Sequence, residues 1–117
     1  MMRCVGLCAL LLAQQVAAQE VAVGDGALLR WLDKASGATT DIELRNGATT
    51  DFGQLTVTLS ECRYPVSDPA SNAFAHLSIG RAGGDAVFDG WMIASSPALS
   101  ALDDPRYDIW VLRCIKE

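Results

Sequence analysis

The sequence predicts an all-β fold, a small antiparallel sandwich or barrel with one short helix near Pro97. Three observations carry the prediction. Apolar side chains recur at every second residue, the period of a strand with one wet face, and not at the helical period. Glycine-bearing turn signals separate the apolar runs at the spacing of short strands. The chain has 117 residues, half of them hydrophobic and a fifth charged. That is the size of one domain, and too apolar for a disordered segment.

Taken in order, Leu28 to Asp33 is an apolar run with Arg30 inside it, and Ile42 and Leu44 alternate with Asp41 and Glu43. Leu55, Val57 and Leu59 alternate with Thr56, Thr58 and Ser60. From Ala73 to Ile79, Ala75, Leu77 and Ile79 share one face, which leaves His76 with Phe74 and Ser78 on the other. Ala86 to Ile93 and Asp108 to Ile115 supply two more strands. The last is apolar on both sides, with Ile109 and Val111 on one and Trp110 and Leu112 on the other, which predicts a central, doubly covered strand. Turns fall at Lys34 to Gly37, Arg45 to Gly47, Asp51 to Gly53 and Gly80 to Gly84, each with a glycine for positive φ. Tyr64 to Asn72, with Pro65 and Pro69, reads as the longest loop. Ser96 as cap, Pro97 at the first helical position and Ala98 to Leu102 predict the short helix, which Asp104-Pro105 ends.

The N-terminus reads as an export signal. Arg3 is followed by an apolar stretch from Cys4 to Ala13, then by Val16-Ala17-Ala18 at a cleavage site that leaves Gln19 first. The expected organisation is a removed signal peptide at 1–18, a short lead at 19–27 and a single β domain at 28–117. No apolar run approaches the roughly 18 residues of a membrane helix, so the expectation is a soluble exported protein without a transmembrane segment. Net charge is −5, and loss of Arg3 makes the remainder more acidic. That balance argues against a nucleic-acid partner, which needs clustered Lys and Arg.

Two cysteines, Cys62 and Cys114, follow the signal. In an exported chain such an isolated pair reads most simply as a disulfide. A redox dithiol favours Cys-x-x-Cys, and zinc sites favour closely spaced Cys or His pairs; neither is present. Strict alternation, however, places Cys62 on the Thr56 side of its strand, while Cys114 shares a face with Trp110 and Leu112. A buried bond then requires either a bulge near Ser60 or Glu61 or a covered second face, and the pattern does not choose between them.

Chemistry-bearing residues are sparse. The Gly80 to Gly84 loop lacks the Lys-Ser/Thr ending of a phosphate loop and reads as a hairpin turn. No Gly-x-Ser-x-Gly elbow occurs. Ser95 and Ser96 read as helix capping. Asp103, Asp104 and Asp108 lack calcium-loop spacing and read as solvated turn residues. Asp85 and Asp89 flank a strand and are a weak carboxylate pair. His76, the one histidine, reads as a surface or hydrogen-bonded structural residue, with general-base work as its functional alternative. Of the tryptophans, Trp110 reads as core, while Trp31 and Trp91 are undecided. No cofactor or metal set emerges.

The run Gly90-Trp91-Met92-Ile93-Ala94-Ser95-Ser96-Pro97-Ala98-Leu99-Ser100-Ala101-Leu102, followed by Pro105-x-Tyr107-Asp108-Ile109-Trp110-Val111 and Cys114, resembles the C-terminal signature of an exported alphaproteobacterial family catalogued as domain of unknown function 2155. Leu32-Asp33-Lys34 with Gly37, Phe52-Gly53-x-Leu55, Cys62-Arg63-x-Pro65 and Ala73-Phe74 resemble its earlier parts. Trp31 departs from the pattern, where a small residue is expected. The resemblance implies a periplasmic, disulfide-bonded protein. It implies no activity and no catalytic residue.

The functional expectation is a non-enzymatic module that binds another cell-envelope component, with its surface at Trp91, Met92, Ser95, Ser96, Pro97, Tyr107 and Asp108. The bland alternative for this run is that it packs the helix onto the sheet. Two rivals remain: a glycan-binding domain, which requires Trp31 or Trp91 to be exposed in a groove, and a small enzyme built on His76 and a carboxylate, which requires a concave site around His76.

Overall fold

A computed structural model describes residues 20–117. The chain forms two antiparallel sheets packed face to face, in the order β1 (Val21–Val23), β2 (Gly26–Asp33), β3 (Thr39–Arg45), β4 (Thr49–Phe52), β5 (Leu55–Pro65), β6 (Phe74–Arg81), β7 (Ala86–Ile93) and β8 (Tyr107–Ile115). The first sheet runs β1-β5-β6-β7, with β4 also on β5, and the second runs β3-β2-β8. The fold is therefore the predicted all-β sandwich rather than a closed barrel. The export signal predicted at 1–18 lies outside the described residues. The stretch read as a lead holds β1 and the start of β2.

Alternation builds the core. Ala27, Leu29 and Trp31 of β2 face Leu55, Val57 and Leu59 of β5 and Ala75, Leu77 and Ile79 of β6, all buried. Each end of the sandwich is closed differently. At one end Trp31 packs on Phe52 and Tyr107, with ring centroids 3.5 and 4.8 Å apart. Tyr107 lies over Gly53, whose φ is +55° and whose added Cβ would overlap the tyrosine hydroxyl. At the other end Cys62 and Cys114 form a disulfide that ties β5 to β8, and so one sheet to the other.

Two bulges make that bond possible. On β5 the register with β6 shifts between Leu59 and Glu61, so Ser60 is the extra residue. On β8 Leu29 pairs with Val111 but Leu28 pairs with Arg113, which makes Leu112 extra. Each bulge flips the phase of its strand. Cys62 thereby joins Ala75 on the inside, and Cys114 joins Ala27. Without the flips, Glu61, Arg63 and Arg113 would point into the core, where unpaired charge is costly. The first of the two routes to a buried bond is the one taken.

Several expectations are corrected. β8 is an edge strand and β2 the central one. Trp110 faces outward opposite Arg30 and is half-buried, while Trp31 is the core indole at 3% exposure. The reason is register: Trp31 is in phase with Leu29, and Trp110 is out of phase with Ile109 and Val111. Strand β5 runs on to Pro65, where a loop is predicted from Tyr64, because β1 pairs with residues 63 to 65. The helix is a single 3-10 turn at Pro97–Ser100, and Ser96 makes no side-chain capping bond. Asp104 is buried rather than solvated. It accepts from the N–H groups of Arg106 and Tyr107 and pairs with Arg81, so its charge is compensated inside the fold.

Candidate functional site

The outward face of the first sheet can be read row by row from the pairing. Val23, Arg63, Phe74 and Ile93 form one row; Glu61, His76 and Trp91 form the next. Thr49, Thr58, Ser78 and Asp89 form a third, and Asp51, Thr56, Gly80 and Ala86 a fourth. The face grades from apolar to hydroxyl- and acid-rich along β6. The bulge at Ser60 places Glu61 and Arg63 on it, so the device that turns Cys62 inward also supplies the site's charges.

Among the described residues the exposed large hydrophobic side chains are Val21, Val23, Val66 and Trp91. Val21, Val23 and Trp91 share the outer face at one corner: Val21 lines a depression with Trp91, and Val23 is opposite Arg63. Val66, whose N–H donates to the Glu20 carbonyl, is out of phase with the two β1 valines. Trp91 is 37% exposed. The Arg63 guanidinium lies over its ring, 4.8 Å from the centroid, and His76 meets it edge-on at 5.1 Å. A cation over an indole face is attracted by the ring quadrupole, so the indole is held from two sides. Arg63 also pairs with Glu61. Val21, Arg63, Phe74 and Trp91 line an open, mostly apolar cup of about 240 Å³.

Further along the face, Thr58, Ser78 and Asp89 contribute to a second depression of about 260 Å³. Here Ser78 Oγ donates to Asp89 at 3.0 Å, and the Thr49 and Thr58 hydroxyls are 2.8 Å apart. His76 stands in the row between the two depressions and lines neither. Its Nδ1 is 3.1 Å from Ser60 Oγ, and its Nε2 is 3.7 Å from Asp89. Ser60, His76 and Asp89 thus stand in line, but the carboxylate contact exceeds hydrogen-bond length. The Asp89 side chain is 67% exposed, and the line lies on an open pleated surface rather than in the concave pocket an enzyme site favours. What this arrangement offers chemically is stacking, hydrogen bonding and apolar contact.

The seven residues singled out in the sequence are spread over separate places. Trp91 is at the corner just described. Met92 and Tyr107 are buried, at 2% and 4% exposure, because alternation turns each inward, and they pack the core. Ser95 and Ser96 form the exit from β7, where the Ser95 N–H donates to the Asn72 side chain and the Ser96 N–H to the Ile93 carbonyl. Pro97 and Asp108 border a different groove of about 360 Å³, with Ala98, Ala101, Ile109 and Trp110. The sequence reading missed Arg63 and the valines of β1 as surface residues. The signal was present: Glu61 and Arg63 are charges in phase with Leu55, Val57 and Leu59, which an unbroken strand would bury.

A family model described as an uncharacterized protein conserved in bacteria matches residues 27–114. No curated protein and no solved structure matches the chain.

Proposed function

We propose that this chain, which belongs to the uncharacterised bacterial family of domain of unknown function 2155, is an exported, non-enzymatic binding module that engages another cell-envelope component in the periplasm. The observation that carries the reading is the apolar corner on the outer face of the first sheet, with the exposed Trp91 held between Arg63 and His76. A sandwich of this size has little reason to leave an indole and two valines together in water, and contiguous apolar surface of this kind marks contact sites. Tryptophan and arginine are also the residues that most often dominate binding energy. The disulfide and the leader-like first 18 residues support an oxidising, exported setting. No helix among the described residues is long and apolar enough to cross a membrane.

The reading is tested by placing a photo-crosslinking residue at Val23 in the exported protein, with Glu43 on the outer face of the second sheet as the control. A discrete adduct from position 23, absent from position 43 and lost in Trp91→Ala, is expected. Equal adducts from both faces, or none from position 23, would overturn the reading.

A further inference from the structure

We propose that the outer face of the first sheet binds a neutral pyranose oligosaccharide, stacked on Trp91 and laid along β6 toward Asp89. This rests on the binding reading above and names the ligand class of that surface. The first argument is the platform. Trp91 is exposed yet oriented by Arg63 over its ring and His76 at its edge, so little side-chain entropy remains to be lost on binding. The electron-rich face of an indole attracts polarised C–H groups, and a pyranose presents a sheet of these on one side and hydroxyls around its rim.

The second argument is layout. The cup at Trp91 and Phe74 and the depression at Ser78 and Asp89 hold about 240 and about 260 Å³. Phe74 and Ser78 are four residues apart on β6, roughly 13 Å at the strand rise. One site is apolar and the other is lined by hydroxyls and a carboxylate, with His76 between them. A short chain of rings, each with an apolar face and a hydroxyl rim, matches that sequence of environments. Ser60, Ser78 and Asp89 already hydrogen-bond to one another or to His76, and each can exchange such a bond for one to a sugar hydroxyl.

The third argument is charge. Arg63 is paired with Glu61, and His76 faces Asp89. The Arg63 guanidinium on this face thus has its own acid, and the chain as a whole carries −5. No net positive field remains for an anionic lipid, an acidic polysaccharide or a nucleic acid. A backbone-paired peptide is disfavoured too, because a ligand lying over a sheet face meets side chains and not the ladder N–H and C=O groups that strand addition uses.

The test uses the oxidised protein and follows the three indole N–H resonances while cellotriose or triacetylchitotriose is added. A saturable shift of the Trp91 resonance by either sugar is expected, with Trp31 and Trp110 unmoved. Trp91→Ala should weaken binding by about tenfold or more while the dispersed Trp31 signal shows the fold intact. The proposal is overturned if neither sugar moves Trp91 at about 10 mM, where a Kd of ~1 mM would be nearly saturated. It is equally overturned if binding persists in Trp91→Ala, or if trigalacturonic acid binds more tightly than both neutral sugars. A Trp91-dependent crosslink from Val23 without sugar binding removes this inference and leaves the binding reading standing.

Discussion

Asp104 shows how much one side chain can organise. Its carboxylate accepts from the Arg106 and Tyr107 N–H groups at 2.9 and 2.8 Å and pairs with Arg81, while Lys34 Nζ donates to its carbonyl. The first two bonds fix the chain as it enters β8 and set Tyr107 over Gly53. Burial works to raise the Asp104 pKa, but the N–H donors and the charges of Arg81 and Lys34 outweigh it and hold the group below its ordinary value. A carboxyl whose folded pKa is depressed contributes stability that is fully present above the unfolded pKa. That stability is lost as pH falls through the folded pKa. Asp104→Asn is therefore expected to cost about 1.5–3 kcal/mol at pH 7 in urea denaturation, the range for hydrogen bonds to a charged group. The gap to the wild type should narrow below about pH 4, where carboxylates protonate. A gap that is the same at both pH values would show that the charge is not what Asp104 supplies.

Single-residue bulges govern the strands that carry them. Ser60 shifts β5 by one position, which buries Cys62 and turns Glu61 and Arg63, both half-buried, to the outer face. Deleting Ser60 removes the extra residue, so an unbroken strand places Glu61 outward directly after Leu59 and leaves Cys62 inward. The expected result is no alkylatable thiol after oxidative folding, as in Ser60→Ala, which keeps the bulge and the bond. Two free thiols in the deletion variant would show that the one-residue offset is not what sets the cysteine's direction. This same feature marks how much the sequence could tell. The strands at Ile42, Leu55 and Ala75 are legible from clear alternation, and those at Leu28, Ala86 and Asp108 as apolar runs bounded by turn signals. The bulge was legible as one of two alternatives, since alternation and a buried bond conflicted. Strand β4 was not legible: Thr49 to Phe52 is short and polar, and it pairs only because a tight turn at Gly53-Gln54 returns β5 alongside it. The 3-10 turn was read as a longer helix because Ser-Pro-Ala signals a helix start without saying how far it runs. Of the candidate site, Trp91 was legible. Arg63, Phe74 and Val21 come together only through cross-strand register, which no local pattern reports.

At the scale of the whole molecule, the two sheets meet through one core with a disulfide at one end and an aromatic stack at the other. The bond spans a sequence separation of 52, so chain-entropy reasoning gives it about 4 kcal/mol, a large part of a small domain's net stability. The fold then depends on the compartment in which it forms. Expressed with its first 18 residues and exported, the chain is expected to begin at Gln19 and to show no alkylated thiol when its intact mass is measured without reduction. Expressed from Gln19 in a reducing cytosol, it should carry free thiols at Cys62 and Cys114, unfold at lower urea with a stability smaller by about that margin, and accumulate less because more of it is open to proteolysis at any moment. The outer face of the first sheet follows the same dependence, since Glu61 and Arg63 flank Cys62, and Arg63, paired with Glu61, lies over the indole that β7 presents across β6. Reduction should therefore loosen the Trp91 corner before the aromatic end. Acrylamide quenching of Trp91 is expected to rise on reduction while Trp31 stays shielded. If both tryptophans opened together, the disulfide would be holding the entire sandwich rather than its own end.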